Sequence, residues 1–525
     1  MMRIRIGLAS ALTGAVVATL SLAAGAATFP QPTTQAPQNF DVREASIVQI
    51  HEAMLAGRVT CRALVTTYQR RIEADDKQGA ALNAIVQLNT EALARADVLD
   101  RQLAERGLTG PLHCIPMIVK DNFETIGLQS AAGSLALAGF VSDRDAFLVA
   151  RVKEAGAIVL AKSNMAEWAF SPYETVSSIL PGYTRNPYAL DRVTAGSSGG
   201  TAAAVAASFG AVGFGSDTGN SIRGPSSHQA LVGIRSTMGL TSRAGVIPLN
   251  LLADIAGPMA RTVADAVAVF QVIVGEDPAD PATAASRDRV IPIYADSLRA
   301  DGLNGARIGV LRQAYERGEP DPEVLAIFDA ALDALRRAGA TIVDPAAIDL
   351  SAVRRDRSAG GCGGFAYDIG QWFAGHAGKT PVSSLAEVMR SRRYHPSVET
   401  RLQNALDSTP TAPDSAGCAA DAAYRAAYGE AITQRMNALT LDAYVYPTWS
   451  FPPRLIGDLN TPHGDNSQAF SPTSGFPAIN VPMGYTRDNR LPAGLTFFGR
   501  AWDEATLVRL AFAYEQATHH RRPPF

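Results

Sequence analysis

Lysine is almost missing from this chain. Of its 47 basic residues only five are lysines, at Lys77, Lys120, Lys153, Lys162 and Lys379, and the rest are arginines. A coding bias towards arginine accounts for the chain as a whole, yet it sharpens each survivor. Arginine cannot lose its proton inside a protein, whereas a desolvated lysine can. Charge of either sign is also scarce. Charged residues make up 18% and the net charge is −3, against 47% hydrophobic residues. That balance excludes a disordered chain and gives no bulk attraction to nucleic acid. No G-x-x-x-x-G-K-[ST] occurs, and no G-x-G-x-x-G opens a helix after a strand, so the main phosphate-cradling motifs are missing. The eight histidines include no H-E-x-x-H, and the four cysteines match no zinc spacing. Beyond residue 27 no run is long and apolar enough to cross a membrane.

The N-terminus carries the longest uncharged stretch. Arg3 and Arg5 precede an Ala-, Leu- and Val-rich run from Ile6 to Ala27 that ends in Ala24-Gly25-Ala26. Residues 1–26 therefore read as a signal peptide, with an uncleaved anchor as the competing reading. Residues 27–40, rich in Pro, Gln and Thr, read as a linker. The expectation is an exported protein, periplasmic or secreted, with no stable membrane association after cleavage. An oxidising compartment permits disulfides, and four cysteines allow three full pairings. Cys362–Cys418 is the first pair to test. Cys114 lies in an apolar run and reads as a small buried residue.

At 525 residues the length suits about three domains at ~100–200 residues each, or one large α/β unit. Residues 44–107 read as helices, with Leu55, Leu64, Val65, Tyr68 and Ile72 at helical spacing. From Gly110 short apolar runs (Ile115–Val119, Ala157–Leu160, Ala211–Gly215) alternate with Gly-rich turns and with helical segments at Ala146–Ala155 and Thr201–Ala207. That texture predicts a layered α/β domain. A strand–helix–strand pattern follows over Arg307–Leu311, Pro322–Ala338 and Ala340–Val343. Residues 350–436 are mostly helical, and α/β texture returns at Ala443.

Two Gly-rich segments carry the chemistry: Gly196-Ser197-Ser198-Gly199-Gly200, and Asp217-Thr218-Gly219-Asn220-Ser221-Ile222-Arg223. Such segments leave backbone N–H groups free to face an anion, either a phosphate or the oxyanion of acyl transfer. Gly196–Gly200 formally satisfies G-x-S-x-G with Ser198 as nucleophile, but that elbow needs a strand before it, and Arg185–Ala195 reads as a loop. No S-x-x-K exists, because Ala74, Met117, Ala150, Val159 and His376 stand three before the lysines. His228, near the second segment, is open to a general-base or a structural role. A serine can also be activated by a neutral lysine. Lys120 ends the apolar run Ile115–Val119, where burial would lower its pKa. The alternative is a structural pair with Asp121.

Together these pieces resemble the amidase signature family, the Ser–cis-Ser–Lys hydrolases. The likeness runs from about residue 43 to residue 520 and is densest from Gly110 to Asp265. It rests on Gly110-Pro111-Leu112-His113 leading to Lys120-Asp121-Asn122, on Gly133-Ser134, and on Lys162-Ser163-Asn164-Met165-Ala166-Glu167. The two Gly-rich segments, Gly257-Pro258-Met259-Ala260-Arg261 and Gly475-Phe476-Pro477-Ala478 complete it. The resemblance implies the amidase signature fold, a mixed central β-sheet covered by helices on both faces, as one domain over residues 41–525. Its signature core would lie at about 110–265 and a helical substrate-side region at about 350–436.

The resemblance also implies roles. Ser221 would be the nucleophile, Ser197, in a cis peptide, the proton relay, and Lys120 the base. Backbone N–H groups of Thr218, Gly219, Asn220 and Ser221 would form the oxyanion hole. Ser198, Asp217 and Arg223 would support the loops, and Lys162 would be structural. No metal and no cofactor are implied, the substrate would be a small or peptidic amide, and a homodimer is compatible with the family. Departures are Asn220 where the family usually has Gly, Gly224–His228 in place of R-x-P-A-A, and Cys114 and Arg235 where Gly and Lys are common. Asn tolerates left-handed backbone, so the turn can survive it. Alternatives on the same scaffold are an esterase or carbamate hydrolase, and the A-type component of an amidotransferase. Trp168, Phe170, Tyr173, Tyr183 and Trp449 are either acyl-pocket aromatics or ordinary core.

Overall fold

The short apolar runs become strands of one sheet. The computed structural model describes residues 40–525 apart from residues 410 and 459. The stretch read as a signal peptide, and all of that read as a linker but Phe40, lie outside the described residues. The strands are β1 (Ile85–Leu88), β2 (Pro116–Lys120), β3 (Ile158–Ser163), β4 (Arg185–Asn186), β5 (Ala189–Val193), β6 (Val212–Asp217) and β7 (Val232–Arg235). They continue as β8 (Ile255–Ala260), β9 (Arg307–Val310), β10 (Thr341–Val343), β11 (Ala443–Pro447), β12 (Ala478–Thr486) and β13 (Leu491–Phe498). Eleven of them hydrogen-bond in the order β1-β3-β2-β6-β8-β7-β12-β13-β11-β9-β10. The sheet is mixed: β3-β2-β6 and β11-β9-β10 are parallel, and the middle of the sheet is antiparallel. Helices cover both faces, so the class is α/β and the sheet is mixed, as the residues implied.

Burial explains the composition of the central strands. Every residue of β2, β3 and β6 is buried, as befits parallel strands covered on two sides, and their sequences run apolar almost without alternation. Helix Cys61–Asp75 starts on Thr60, whose hydroxyl accepts from the Ala63 N–H, and helix Val263–Ile273 starts likewise on Thr262.

Three local readings need correction. The stretch 44–107 is not all helix, because β1 pairs antiparallel with β3 at the sheet edge. Four residues are too few to break a helical pattern visibly. Arg185–Ala195 contains the small hairpin β4–β5 rather than a plain loop. Cys114 is indeed buried, but it is bonded to Cys61, with Cα atoms 5.7 Å apart. The first turn of helix Cys61–Asp75 packs over the residue leading into β2, a tertiary contact that spacing does not reveal. Cys362–Cys418, the pair singled out from sequence, is the other disulfide, with Cα atoms 4.4 Å apart.

Helices Phe365–Gly375, Leu385–Ser391 and Glu399–Asp407 form a module with a core of its own, in which Ile369, Phe373, Val388 and Leu402 meet Phe140, Trp168 and Phe170. Trp168 and Phe170 are thus core residues, packed edge-on against Phe365. Glu124 anchors this module to the chain leaving β2. Its carboxylate accepts from Ser142 Oγ (2.8 Å), Arg144 Nε (2.8 Å) and Trp372 Nε1 (3.1 Å), and lies 2.9 Å from His376 Nε2. Burial raises its pKa, but His376 and Arg144 outweigh burial and hold it at about 2.

With all four cysteines paired, denatured but unreduced protein should show no titratable thiol, and reduction should release four. The Cys61–Cys114 bridge closes a separation of 53 residues. Replacing both by Ser should lower the unfolding free energy by roughly 2–4 kcal/mol in a denaturant titration, leaving Cys362–Cys418 intact.

Candidate active site

Adjacent parallel strands β2 and β6 deliver their carboxyl ends to one edge of the sheet, where crevices of α/β folds open. Lys120 closes β2, and Ser216-Asp217 closes β6. The Gly196–Gly200 run arrives at the same edge before helix Gly199–Ala206, and the peptide bond Gly196–Ser197 is cis. Its glycines are required by close approach. A Cβ at Gly196 would lie 2.4 Å from the Ser171 carbonyl oxygen, and one at Gly200 would lie 2.2 Å from that of Asn164.

Lys120 has no exposed surface. Its Nζ donates to Ser197 Oγ at 2.8 Å and to Ser216 Oγ at 2.8 Å, with the Ser216 carbonyl at 3.4 Å. No carboxylate touches it. Burial lowers its pKa to about 7, and the more distant charges of Asp254 and Asp217 only partly oppose that. Asp121, the alternative partner, points elsewhere: it accepts the Gly133 N–H at 2.8 Å and stands near Lys162. Lys162 is equally buried, but it donates to the Phe123 carbonyl and Ser130 Oγ. Lys77, Lys153 and Lys379 pair with Asp76, Asp145 and Asp143 at the surface.

The turn after β6 is held by its carbonyls. Arg235 Nη1 donates to the Asp217 carbonyl, Arg223 Nη2 to that of Gly219 (2.6 Å), Gly224 N–H to that of Asn220 (2.7 Å), and Ser198 N–H to that of Ser221 (3.3 Å). Thr218 Oγ1 donates to Asp254 Oδ1 at 2.5 Å. With the carbonyls of Asp217, Gly219, Asn220 and Ser221 so engaged, the N–H groups of Thr218, Gly219, Asn220 and Ser221 make no hydrogen bond to any described residue. Four unspent donors in succession form a concavity suited to a developing oxyanion. Ser221 is 4% exposed, whereas Ser197 and Ser198 have no exposed surface. Ser221 is joined to the Ser197–Ser198 segment through the backbone bond from Ser198 N–H, not through a hydroxyl–hydroxyl bond. Neither Gly219 nor Asn220 has a positive φ, so the turn needs no left-handed residue at Asn220.

Asp217 is the hub beneath this turn. It accepts from Ile222 N–H (3.1 Å), Arg223 Nε (3.1 Å) and Arg235 Nη1 (2.9 Å), all fully buried. Burial raises its pKa, but Arg223 and Arg235 outweigh burial and hold the carboxyl at about 2. Ser198 supports from the other side, its hydroxyl donating to the Ser216 carbonyl at 3.2 Å, a commitment that removes it as a free nucleophile. His228 is also fully buried. Its ring nitrogens make no hydrogen bond to a described residue, the ring stands edge-on to Trp449 at 4.6 Å, and burial pushes its pKa down to about 3. It is hydrogen-bonded to neither Lys120 nor Ser197, Ser198 or Ser221.

Sequence reasoning missed Ser216, which accepts from both Lys120 and Asn122 (3.2 Å), and the roles of Arg235 and Asp254. Ser216 and Arg235 lie within or beside the recognised segments, and Arg235 stood out as a departure. Asp254 carried no signal.

A buried serine–lysine pair thus lies beside a run of unspent N–H donors at the strand ends of a mixed α/β sheet. The chain belongs to the amidase family, whose model matches residues 63–508, and it acts on amide C–N bonds. It is 32% identical over 514 residues to a probable amidase of Arabidopsis thaliana, covering 92% of each chain. It is 33% identical over 484 residues to the A component of the glutamyl-tRNA(Gln) amidotransferase of Moorella thermoacetica, covering 86% of this chain and 93% of the relative. Among solved structures it resembles the native peptide amidase of Stenotrophomonas maltophilia at 36% identity, with a TM-score of 0.81, over 92% of this chain and 98% of that one.

Asp217→Asn would leave two buried guanidiniums without a counter-charge. Unfolding free energy should drop by roughly 3–5 kcal/mol in chemical denaturation, while Asp191→Asn, at an exposed site, should change it by less than about 0.5 kcal/mol.

Proposed function

We propose that the chain is an exported hydrolase that cleaves carboxylic amides through an acyl-enzyme on Ser221. The observation that carries the reading is Lys120: a fully buried amine with a pKa near 7, hydrogen-bonded to Ser197 and free of any carboxylate. Ser221 Oγ attacks the carbonyl carbon and gives its proton to Ser197 Oγ, which passes its own to the neutral Lys120. The carbonyl oxygen takes up negative charge against the N–H groups of Thr218–Ser221. When the C–N bond breaks, the proton returns through Ser197 to the leaving nitrogen, and ammonia or an amine departs. Water then attacks the ester carbon, loses its proton along the same relay, and restores Ser221 as the acid leaves.

Three things support a peptidic acyl group as the first class to test. The structural likeness is to a peptide amidase. Tyr173, Trp449 and His463 form an aromatic cluster, with Tyr173 stacked on His463 at 4.1 Å. Trp449 reaches the Ser221 turn through Gly224. Export is supported by the basic-then-apolar N-terminal segment and by two disulfides, which persist in oxidising compartments. Both features weigh against the second reading, a component of an amidotransferase, which the Moorella relative keeps in view.

Ammonia or amine release from peptide amides, simple primary amides, p-nitroanilides and carbamates decides the class. Turnover of none of these, with glutamine-dependent transamidation present, would select the second reading. Ser221→Ala should lose roughly four orders of magnitude or more in kcat on every substrate while keeping the fold.

Lys120 must be neutral to act. Because its pKa is lowered, the neutral form builds up above about pH 7 and is lost below it, so kcat/KM should rise with pH along a limb centred near 7. Lys120→Arg keeps the charge and should abolish both activity and that limb. Normal activity in that variant would overturn the assignment.

A further inference from the structure

The residue before Ser221 holds a side chain with nothing to do. Asn220 is fully buried, and neither its Nδ2 nor its Oδ1 makes a hydrogen bond to a described residue. Its surroundings show what occupies it. A Cβ placed on Gly224 would lie 2.7 Å from Asn220 Nδ2 and 3.0 Å from Trp449 Nε1, so carboxamide, glycine and indole meet at one point. Gly224 N–H donates to the Asn220 carbonyl at 2.7 Å, which fastens the turn to the first residues of helix Arg223–His228. Trp449 Nε1 is also buried without a partner, and the His228 ring backs the indole edge-on at 4.6 Å. The contact is therefore one of shape rather than of hydrogen bonding. The carboxamide belongs to a residue of the very backbone run whose N–H groups are unspent.

We infer that Asn220 is a positioning residue whose carboxamide, seated against Gly224 and Trp449, sets the direction of the N–H groups from Thr218 to Ser221. The inference rests on the reading of Ser221 as nucleophile. Asn220 and Gly224 are coupled: the volume that a side chain at 224 would take is given to the one at 220. Removing the carboxamide takes one packing support from a turn otherwise held by its carbonyls, and adding a methyl at 224 displaces the carboxamide and with it the turn. Both changes misdirect donors that act on the transition state more than on bound substrate, so kcat should suffer and KM should not.

The test is a double-mutant cycle on the full chain, with kcat, KM and thermal midpoint measured on the best substrate of the panel. Asn220→Ala and Gly224→Ala should each lower kcat about 10–100-fold with KM within about threefold of wild type. The double variant should recover at least tenfold over Gly224→Ala, because the methyl then enters space the carboxamide has left. A wild-type kcat in Asn220→Ala, or a double variant no better than Gly224→Ala, would overturn the inference. If Gly224→Ala does not fold, Asn220→Ala decides alone: kcat reduced at constant KM supports the inference, and kcat unchanged or a rise confined to KM defeats it. Ser221→Ala run alongside separates the two readings. If it is inactive while the cycle is additive, only the positioning role fails; if it is active, the nucleophile itself is wrong.

Discussion

Everything at the site follows from taking one amine out of water without giving it a carboxylate. Lys120 meets only hydroxyls and a carbonyl, so burial outweighs the more distant charges of Asp254 and Asp217. Both carboxylates are already claimed, Asp254 by Thr218 and the N–H groups of Leu249 and Asn250, Asp217 by two guanidiniums. That arrangement keeps negative charge close enough to matter and too occupied to form an ion pair. A free carboxylate in contact with Nζ would keep the amine charged and useless as a base.

The same two arginines do a second task through the backbone. By taking the carbonyls of Asp217 and Gly219 they orient the peptide units that follow β6, and the N–H groups come free as a geometric consequence. Electrostatics beneath the turn and preorganisation above it are thus one structure. The helical module that carries Trp372 and His376 is tied in by the same device on a smaller scale, a buried carboxylate at Glu124 ringed by donors. In both places a buried acid serves as a fastening point, for neighbouring segments at Asp217 and for segments far apart in sequence at Glu124.

How far this was legible in the sequence depended on whether a residue's partner lay nearby in the chain. Strands β2, β3 and β6 announced themselves as apolar runs bounded by glycine, and Lys120 stood out because it ended one of them. The Gly-rich segments marked the turn. Strand β1 was hidden because four residues at a sheet edge leave too weak a period to separate from the helices around it. The Cys61–Cys114 bond was hidden because it depends on one helix crossing a loop, whereas Cys362 and Cys418 both lie in the helical region 350–436. Asp254 was invisible for the same reason as the bond: its role exists only once β8 lies beside β6. Asn220 was conspicuous, but sequence suggested only a left-handed turn. Its side chain instead lies buried against Gly224 and Trp449, behind ordinary backbone.

The scarcity of lysine has a practical side. Of the five side-chain amines two are sealed in the interior, which leaves Lys77, Lys153 and Lys379 as those that reach solvent, at 50%, 31% and 52% side-chain exposure. Coupling to an amine-reactive resin would therefore tether the folded chain by very few side-chain points, instead of the scattered attachment that a lysine-rich surface gives. A single Arg→Lys exchange on a chosen face would then be enough to select how the protein is presented on a solid support.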